Sequence, residues 1–370
     1  MNKSVSIIML GLLIISNAFS PVLAQDKITG EGYNFTIIKD LPATSVKNQS
    51  LTNTCWSFSV ISMLESELLR MGKDTFDLSE MYVVRHIYEE KAEKYIRMHG
   101  TINFAGGGFF HDVIHVLDTF GMVPDGIYTG LIDGKKIHFH EEMDDDLKEY
   151  VEKIVLARNN KDTSEWKEGF TEIIDSCLGI LPQEFVFENK SYTPELFASG
   201  LNLNLDDYIE ITSFNHHPFY QEFKLEIPDN WAWGDFFNVP LDELIEIISY
   251  SIDKGYTVAW SADISEKGFI WSTGVAIVPD VPEKNITQDL RQEGFDNYAT
   301  TDDHGMHITG LAIDKKGNKY FRVKNSWGVT GSPYNGYLYA SEPYVRLKTI
   351  AIMVNKNGIP DHIRKKLHIN

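Results

Sequence analysis

The sequence predicts an α+β protein of two lobes with a cleft between them. Three observations predict it: apolar residues recur at helical spacing early in the chain, period-two alternation takes over late, and no internal repeat or low-complexity segment intervenes.

The first element is a leader. A basic start at Lys3, an apolar core from Val5 to Phe19 that is short for a bilayer crossing, and Val22 and Ala24 at the −3 and −1 positions describe a Sec-type signal peptide over residues 1–24. An N-terminal membrane anchor is the alternative, and without a cysteine at its end the segment does not read as a lipoprotein leader. Cleavage after Ala24 would leave about 346 residues, enough for one large domain or two lobes with sizeable cores.

Ile61, Leu64, Leu68 and Met71 then recur at helical spacing and Gly72 supplies a stop, so the spacing predicts a helix that begins at Cys55. The stretch of about 77–124 is helical by periodicity and is interrupted by Gly106, Gly107 and Gly108. Residues 125–240 mix helical patterns with loops rich in Asn, Pro and Trp. After Pro240 a helix from Leu241 to about Lys254 leads into Thr257–Asp263, and strand alternation follows around 308–313, 319–324 and 349–354.

The formal charge is −19, and −20 once Lys3 has left with the leader. A surface this acidic repels phosphate backbones and anionic lipid, which argues against nucleic-acid and membrane-surface roles. No apolar run after the leader is long enough to cross a membrane. Cys55 and Cys177 are the only cysteines, and a secreted chain without disulfides fits bacterial export, to periplasm or medium, better than a eukaryotic route. Cys177, in the apolar stretch Ile173–Leu181, is expected as a buried thiol.

Gln49 stands six residues before Cys55, while His304 and Asn325 lie far downstream. Together they supply an oxyanion donor, a thiol nucleophile, an imidazole and an amide to orient it, the groups that acyl transfer through cysteine needs to converge in the folded state. A helix start at Cys55 adds partial positive charge and is expected to lower the cysteine pKa. Gln49 alone would read as a loop glutamine; its spacing to Cys55 makes it a donor to the oxyanion, with the Cys55 backbone N–H as the second. The reading is a cysteine peptidase.

These residues in that order, with Cys55-Trp-Ser-Phe58 at the nucleophile and Asn325-Ser-Trp-Gly328 at the end, resemble the papain-like cysteine peptidases. Within that group the chain is similar to the bleomycin hydrolase (aminopeptidase C) branch, through Leu78-Ser-Glu-Met-Tyr82, Gly107 to Pro124, Asp175-Ser-Cys-Leu-Gly179 and Leu241 to Gly255. The resemblance implies a helical lobe facing a β-barrel-like lobe, one peptidase domain over residues 25–370, and residues 125–240 as the branch's large insertion. It implies His304 as the base, because His-Gly or His-Ala before an apolar strand is the family pattern, and leaves His307 to packing or pocket lining. Asn325 would hold the imidazole and Trp327 would shield that hydrogen bond. Gly107 and Gly108 would pair their bare backbone with an extended substrate. A flexible loop is the alternative for the glycines, since Gly106 stands where relatives carry a polar residue. Thr52 stands where the family commonly has a cysteine.

The implied activity is that of an aminopeptidase acting on peptides with no metal or organic cofactor, in a hexameric barrel whose C-terminal tail lies in the cleft. Two departures bear on this: such relatives are mostly cytosolic, and only three residues follow Leu367 where relatives continue. An endopeptidase or dipeptidyl-peptidase-like enzyme therefore stays open, as does blockage of the cleft by residues 125–240 or a neighbouring subunit. A catalytically inactive peptide-binding protein is the reading from another class, and the intact set Gln49, Cys55, His304 and Asn325 speaks against it.

Other histidines invite a metal reading without carrying it. His111 and His115 have the i, i+4 spacing of zinc peptidases, but the acid beside the first is Asp112 rather than Glu, and the segment resembles the helix after the paired glycines. His138/His140 and His216/His217 are loose pairs in loops, read as surface or hydrogen-bonded residues. Glu141–Asp146 reads as a solvated helix start, because the glycine and spacing of a calcium loop are missing.

Overall fold

The computed structural model describes residues 27–30, 33–157 and 165–369. The leader expected over residues 1–24 lies outside the described residues. Strands β1 (Lys27–Gly30) and β2 (Tyr33–Asp40) pair antiparallel ahead of helices α1 (Cys55–Arg70), α2 (Glu80–Arg97) and α3 (Phe110–Phe120). Residues 125–240 carry α4 (Glu141–Leu156), α5 (Glu165–Leu178), the pair β3 (Phe185–Phe187) and β4 (Lys190–Tyr192), α6 (Pro194–Leu201), and strands β5 (Tyr208–Thr212), β6 (Glu222–Lys224) and β7 (Asp235–Asn238). Then come α7 (Leu241–Lys254), β8 (Val258–Ala262), β9 (Phe269–Ile270), β10 (Val275–Ala276), α8 (Gln288–Asp296), β11 (His304–Asp314) and β12 (Lys319–Lys324). The chain finishes with β13 (Tyr337–Ser341), α9 (Glu342–Lys348), β14 (Thr349–Asn355) and α10 (Asp361–Lys366).

Among the described residues twelve strands form one sheet in the order β6-β7-β5-β14-β8-β11-β12-β13-β10-β9, with β2 added along the far half of β11 and β1 beyond it. Side chains alternate across this sheet as strand geometry requires. Ala351 and Met353 of β14 face the core built from α1 to α6, whereas Ile352 and Val354 face a second core under α7, α9 and α10. The expected α+β architecture is thus present, and α7 has the predicted bounds. The expectation of strands only late in the chain is incomplete. Strand β5 enters the sheet from within residues 125–240, and it was hidden because the buried Glu210 interrupts its apolar pattern.

Helix α1 is buried almost all round, which marks a helix inside a fold rather than on it. One face carries Val60, Ile61, Leu64 and Leu68 into the helical core, all fully buried. The opposite stripe is small and polar: Cys55, Ser59 and Ser62 recur at helical spacing and meet β11. Small side chains there let helix and strand approach closely.

Glu210 is buried because His111 of α3 reaches it from the other lobe, through its backbone N–H (3.0 Å) and Nδ1 (2.8 Å). Burial disfavours the charged imidazole, but the carboxylates of Glu210 and Asp112 prevail and push His111 up to about 9. Its folded value lies above the ordinary 6.5, so its stabilising contribution is complete below about pH 6.5 and is lost as pH rises through about 9. His111→Gln should therefore cost on the order of 3–5 kcal/mol near pH 6.5, the scale of a buried carboxylate left without its cation. Urea unfolding of both proteins should show that difference shrinking above about pH 9.

Candidate active site

Helix α1 begins at Cys55 as expected, and Gly305, the residue after His304, directs its N–H at the thiol. A side chain at 305 would be tight: its Cβ would lie 3.0 Å from Ser59 Oγ and 3.2 Å from the Cys55 carbonyl oxygen. A bare backbone after His304 lets strand β11 lie close against helix α1.

Strands β11 and β12 pair with His307 opposite Lys324, which sets Asn325, just past β12, beside the start of β11. Asn325 Oδ1 lies 2.7 Å from His304 Nε2. That nitrogen carries the proton, and Nδ1 is the ring nitrogen left for the thiol. Trp327 stacks on the imidazole with centroids 4.8 Å apart, and Trp271 and Phe269 close its far side edge-on at 5.2 and 6.0 Å. His304 and Asn325 are both buried.

His307, three residues along the same strand, points to the opposite face. Its Nδ1 lies 2.9 Å from Ser62 Oγ on α1, which also accepts Lys324 Nζ at 2.7 Å. Burial, with the Lys324 charge, holds His307 well below its ordinary value.

Gln49 is buried and clamped by Ser326. The Gln49 N–H donates to Ser326 O at 2.8 Å, and Ser326 Oγ donates to Gln49 Oε1 at 2.6 Å, so the Gln49 amide nitrogen is turned away. Asn48 bridges to Trp327, and the Gly328 N–H donates to Lys47 O at 3.0 Å. At the start of α1, Thr54 makes no capping bond but shares a 2.6 Å hydrogen bond with Thr52. The Ser57 N–H returns to Thr54 O, and the Trp56 N–H goes to the thiol, which leaves the Cys55 N–H uncommitted.

The paired glycines are held on three sides. Trp56 Nε1 donates to Gly106 O at 3.1 Å, and Lys91 Nζ donates to Ala105 O at 2.8 Å and to Gly107 O. A Cβ at Gly108 would lie 2.8 Å from the Trp56 ring, and one at Gly107 would lie 2.3 Å from Asp229 Oδ2.

Burial pushes the Cys55 thiol up to about 12; the Gly305 N–H opposes this, and the Asp302 and Asp229 carboxylates add to it. Burial also holds His304 down to about 4 against the hydrogen bond it donates to Asn325. Against the lowered cysteine expected from the helix start, lost hydration first and then two nearby carboxylates push the thiol up. Proton transfer from sulfur to imidazole would create opposite charges side by side in a poorly screened site, so thiolate and imidazolium form as a pair.

The decoys resolve into separate contacts. His111 binds Glu210, His115 binds Glu90 at 2.9 Å, and Asp112 accepts the Phe109 and Trp231 N–H groups at 2.9 Å each. His216 and His217 both meet Glu226, at 3.0 and 2.9 Å; this is the group among the described residues with ligand atoms within 4.8 Å of one another. His140 departs from the surface reading: it is buried, and neither ring nitrogen has a hydrogen-bond partner among the described residues. Glu141 opens α4 as expected. Cys177 is only half-buried, because the buried stripe of α5 runs through Phe170, Ile174 and Leu178 and leaves it at the margin. Sequence reasoning missed Ser326, although it lies inside the Asn-Ser-Trp-Gly motif, and it missed Trp271, Asp302 and Asp229, for which no local pattern exists.

Comparison with known proteins follows the same lines. The sequence pattern of the peptidase C1-like family matches residues 83–370, which takes in His304 and Asn325. Aminopeptidase C of Lactobacillus delbrueckii subsp. lactis is 21% identical over 89% of this chain and 83% of its own, a span too long to omit Gln49 and Cys55. Aminopeptidase G of the same organism is 23% identical over 86% and 82%. The crystal structure of PepW from Lactobacillus rhamnosis superposes with a TM-score of 0.72 over 90% of this chain and 84% of that one, at 18% identity, a likeness of fold.

Two outcomes follow from the geometry. Ser326→Ala should release the Gln49 amide and lower peptide turnover roughly five- to tenfold, the scale of one neutral hydrogen bond, with a melting temperature lowered by no more than about a few degrees. Asp302 is pushed up to about 8, by burial first and then by Asp229. Asp302→Asn should therefore speed iodoacetamide alkylation of Cys55 above about pH 8, where the native carboxylate is ionised, and change it little near neutrality. Peptide mapping with Cys177 as internal reference measures this.

Proposed function

The chain belongs to the peptidase C1-like family of papain-like cysteine peptidases, and on that footing we propose that it is an aminopeptidase that hydrolyses peptides through Cys55, His304, Asn325 and Gln49. The observation that carries the reading is the series in which Asn325 holds His304 at 2.7 Å while Gly305, next in the chain, meets the Cys55 thiol. Relatives named aminopeptidases C and G support action at a free N-terminus.

In this mechanism the proton of Cys55 passes to His304 Nδ1 as the sulfur attacks the scissile carbonyl carbon. The oxyanion takes hydrogen bonds from the Gln49 side chain and the Cys55 N–H; losing one such donor costs about 3–4 kcal/mol in comparable sites. Collapse of the tetrahedral species breaks the C–N bond, and His304 returns the proton to the leaving amine. Water, deprotonated by the same imidazole, then releases the acyl group. Asn325 fixes the ring through its neutral amide, which suits a pair that already balances its own charge. Trp327 keeps water from the His304–Asn325 bond, and the Gly107–Gly108 backbone receives the substrate residue before the cut. Export after cleavage at Ala24, a single domain over residues 25–370 with 125–240 as its insertion, and assembly of like copies belong to the same proposal.

Cys55→Ala should abolish hydrolysis, and EDTA should leave the native enzyme active. His304→Ala should remove turnover by on the order of a thousandfold or more, whereas His307→Gln should act on stability. Mass spectrometry of peptide products should show single residues lost stepwise from a free N-terminus. Internal cuts in N-acetylated peptides would instead establish an endopeptidase, and binding without turnover a peptide-binding protein.

A further inference from the structure

Between β6 and β7 the chain makes a stapled loop, residues 225–234, that is docked on the helical lobe. Asn230 ties it internally, bonding Leu225 O at 3.0 Å and the Gly234 N–H at 2.7 Å. Trp231 is buried and donates to Asp112, and Lys94 sits 3.8 Å over the Trp233 ring. The loop is thereby held against α2 and α3 and carries one side chain to the active-site cleft, Asp229.

The Asp229 carboxylate occupies the space over Gly107, with its two oxygens 2.3 and 2.4 Å from where a Cβ would stand. Asn103 Nδ2 donates to Oδ1 at 3.1 Å. Oδ2 has no partner among the described residues, and Asp229 forms no ion pair there. Lys91, the nearby cation, directs its ammonium under the loop to the carbonyls of Ala105 and Gly107. A half-buried carboxylate with no ion pair of its own among the described residues, on which Lys91 acts only from a distance, gains from a cation that reaches it directly. It acts electrostatically on the Cys55 thiol and on Asp302, which is anchored by Ser261 Oγ at 2.6 Å two residues before His304.

We propose that Asp229 limits the cleft to one residue before the scissile bond and accepts the α-ammonium of that residue. The inference rests on the peptidase reading and names the group that makes it an aminopeptidase. A substrate lying on Gly107 and Gly108 finds the next backbone position filled by the Asp229 carboxylate, so a longer chain is refused by volume and an N-acylated one by the lack of a positive charge. A free ammonium supplies Oδ2 with its missing donors. Its charge also offsets the negative potential that Asp229 adds to the burial of the Cys55 thiol, so the nucleophile is activated when the correct end of a peptide is bound.

The test compares leucyl-7-amido-4-methylcoumarin with its N-acetyl form on the native enzyme, Asp229→Asn and Asp229→Glu. Asp229→Asn should lower kcat/KM on the free amine roughly ten- to hundredfold, chiefly through KM, the range for one charged hydrogen bond. The acetylated substrate should be unaffected or gain, so the preference for a free amine collapses. Asp229→Glu keeps the charge and should keep most of the preference, which also serves should the Asn variant fail to fold. An unchanged preference in folded Asp229→Asn, or its full loss in folded Asp229→Glu, overturns the assignment while leaving Cys55-dependent hydrolysis in place. If the native enzyme hydrolyses neither substrate nor longer peptides through Cys55, the peptidase reading itself fails, and Asp229 falls with it.

Discussion

Strand β11 meets helix α1 at backbone distance, and the placement of the other site groups follows from that contact. Gly305 and Ser59 let it form, and it puts the residue beside His304 on the Cys55 thiol. A buried polar network secures the same seam. Glu65 of α1 accepts Thr44 Oγ1 and the Leu78 N–H, Lys47 bonds Glu80 at 2.9 Å, and Lys324 donates to Ser62 and to Thr44. Glu80 is pushed up to about 8 by burial, and Lys324 is drawn down to about 8 for the same reason. Such a network is worth little if incomplete, but when satisfied it permits one registration of helix and strand. The segment carrying Gln49 is anchored in it at Lys47, and the segment carrying Asn325 at Lys324.

The electrostatics of the cleft run against a permanently charged nucleophile. Lost hydration keeps thiol and imidazole neutral, and Asp229 adds negative potential to a chain already at −19, joined by Asp302 above about pH 8. The helix terminus, the Gly305 N–H and Asn325 pull the other way. A site balanced like this responds to the charge of what enters it.

Residues 125–240 are woven into both lobes. Strand β5 lies in the main sheet beside β14, and Asp175, in the motif that follows the middle of α5, receives the buried Arg85 of α2 at 2.7 Å. The loop bearing Asp229 rests on α2 and α3. Contacts on this scale make the stretch a structural part of the cleft wall.

The sequence by itself determined what repeats locally or is set by adjacent residues. The helix from Cys55, the bounds Leu241–Lys254 and the strands from 308 onward were legible because periodicity is a property of neighbours along the chain. The Gln, Cys, His and Asn set was legible because each member lies in a recognisable short motif. Tertiary structure decided what depends on distance across the fold. It alone shows that His304 faces Asn325 while His307 faces Ser62, that Ser326 clamps Gln49, and that Asp229 overlies Gly107 across more than a hundred residues of chain. It also pushes the thiol up against the expected lowering, since the helix start is visible in sequence but desolvation is a property of the packed cleft.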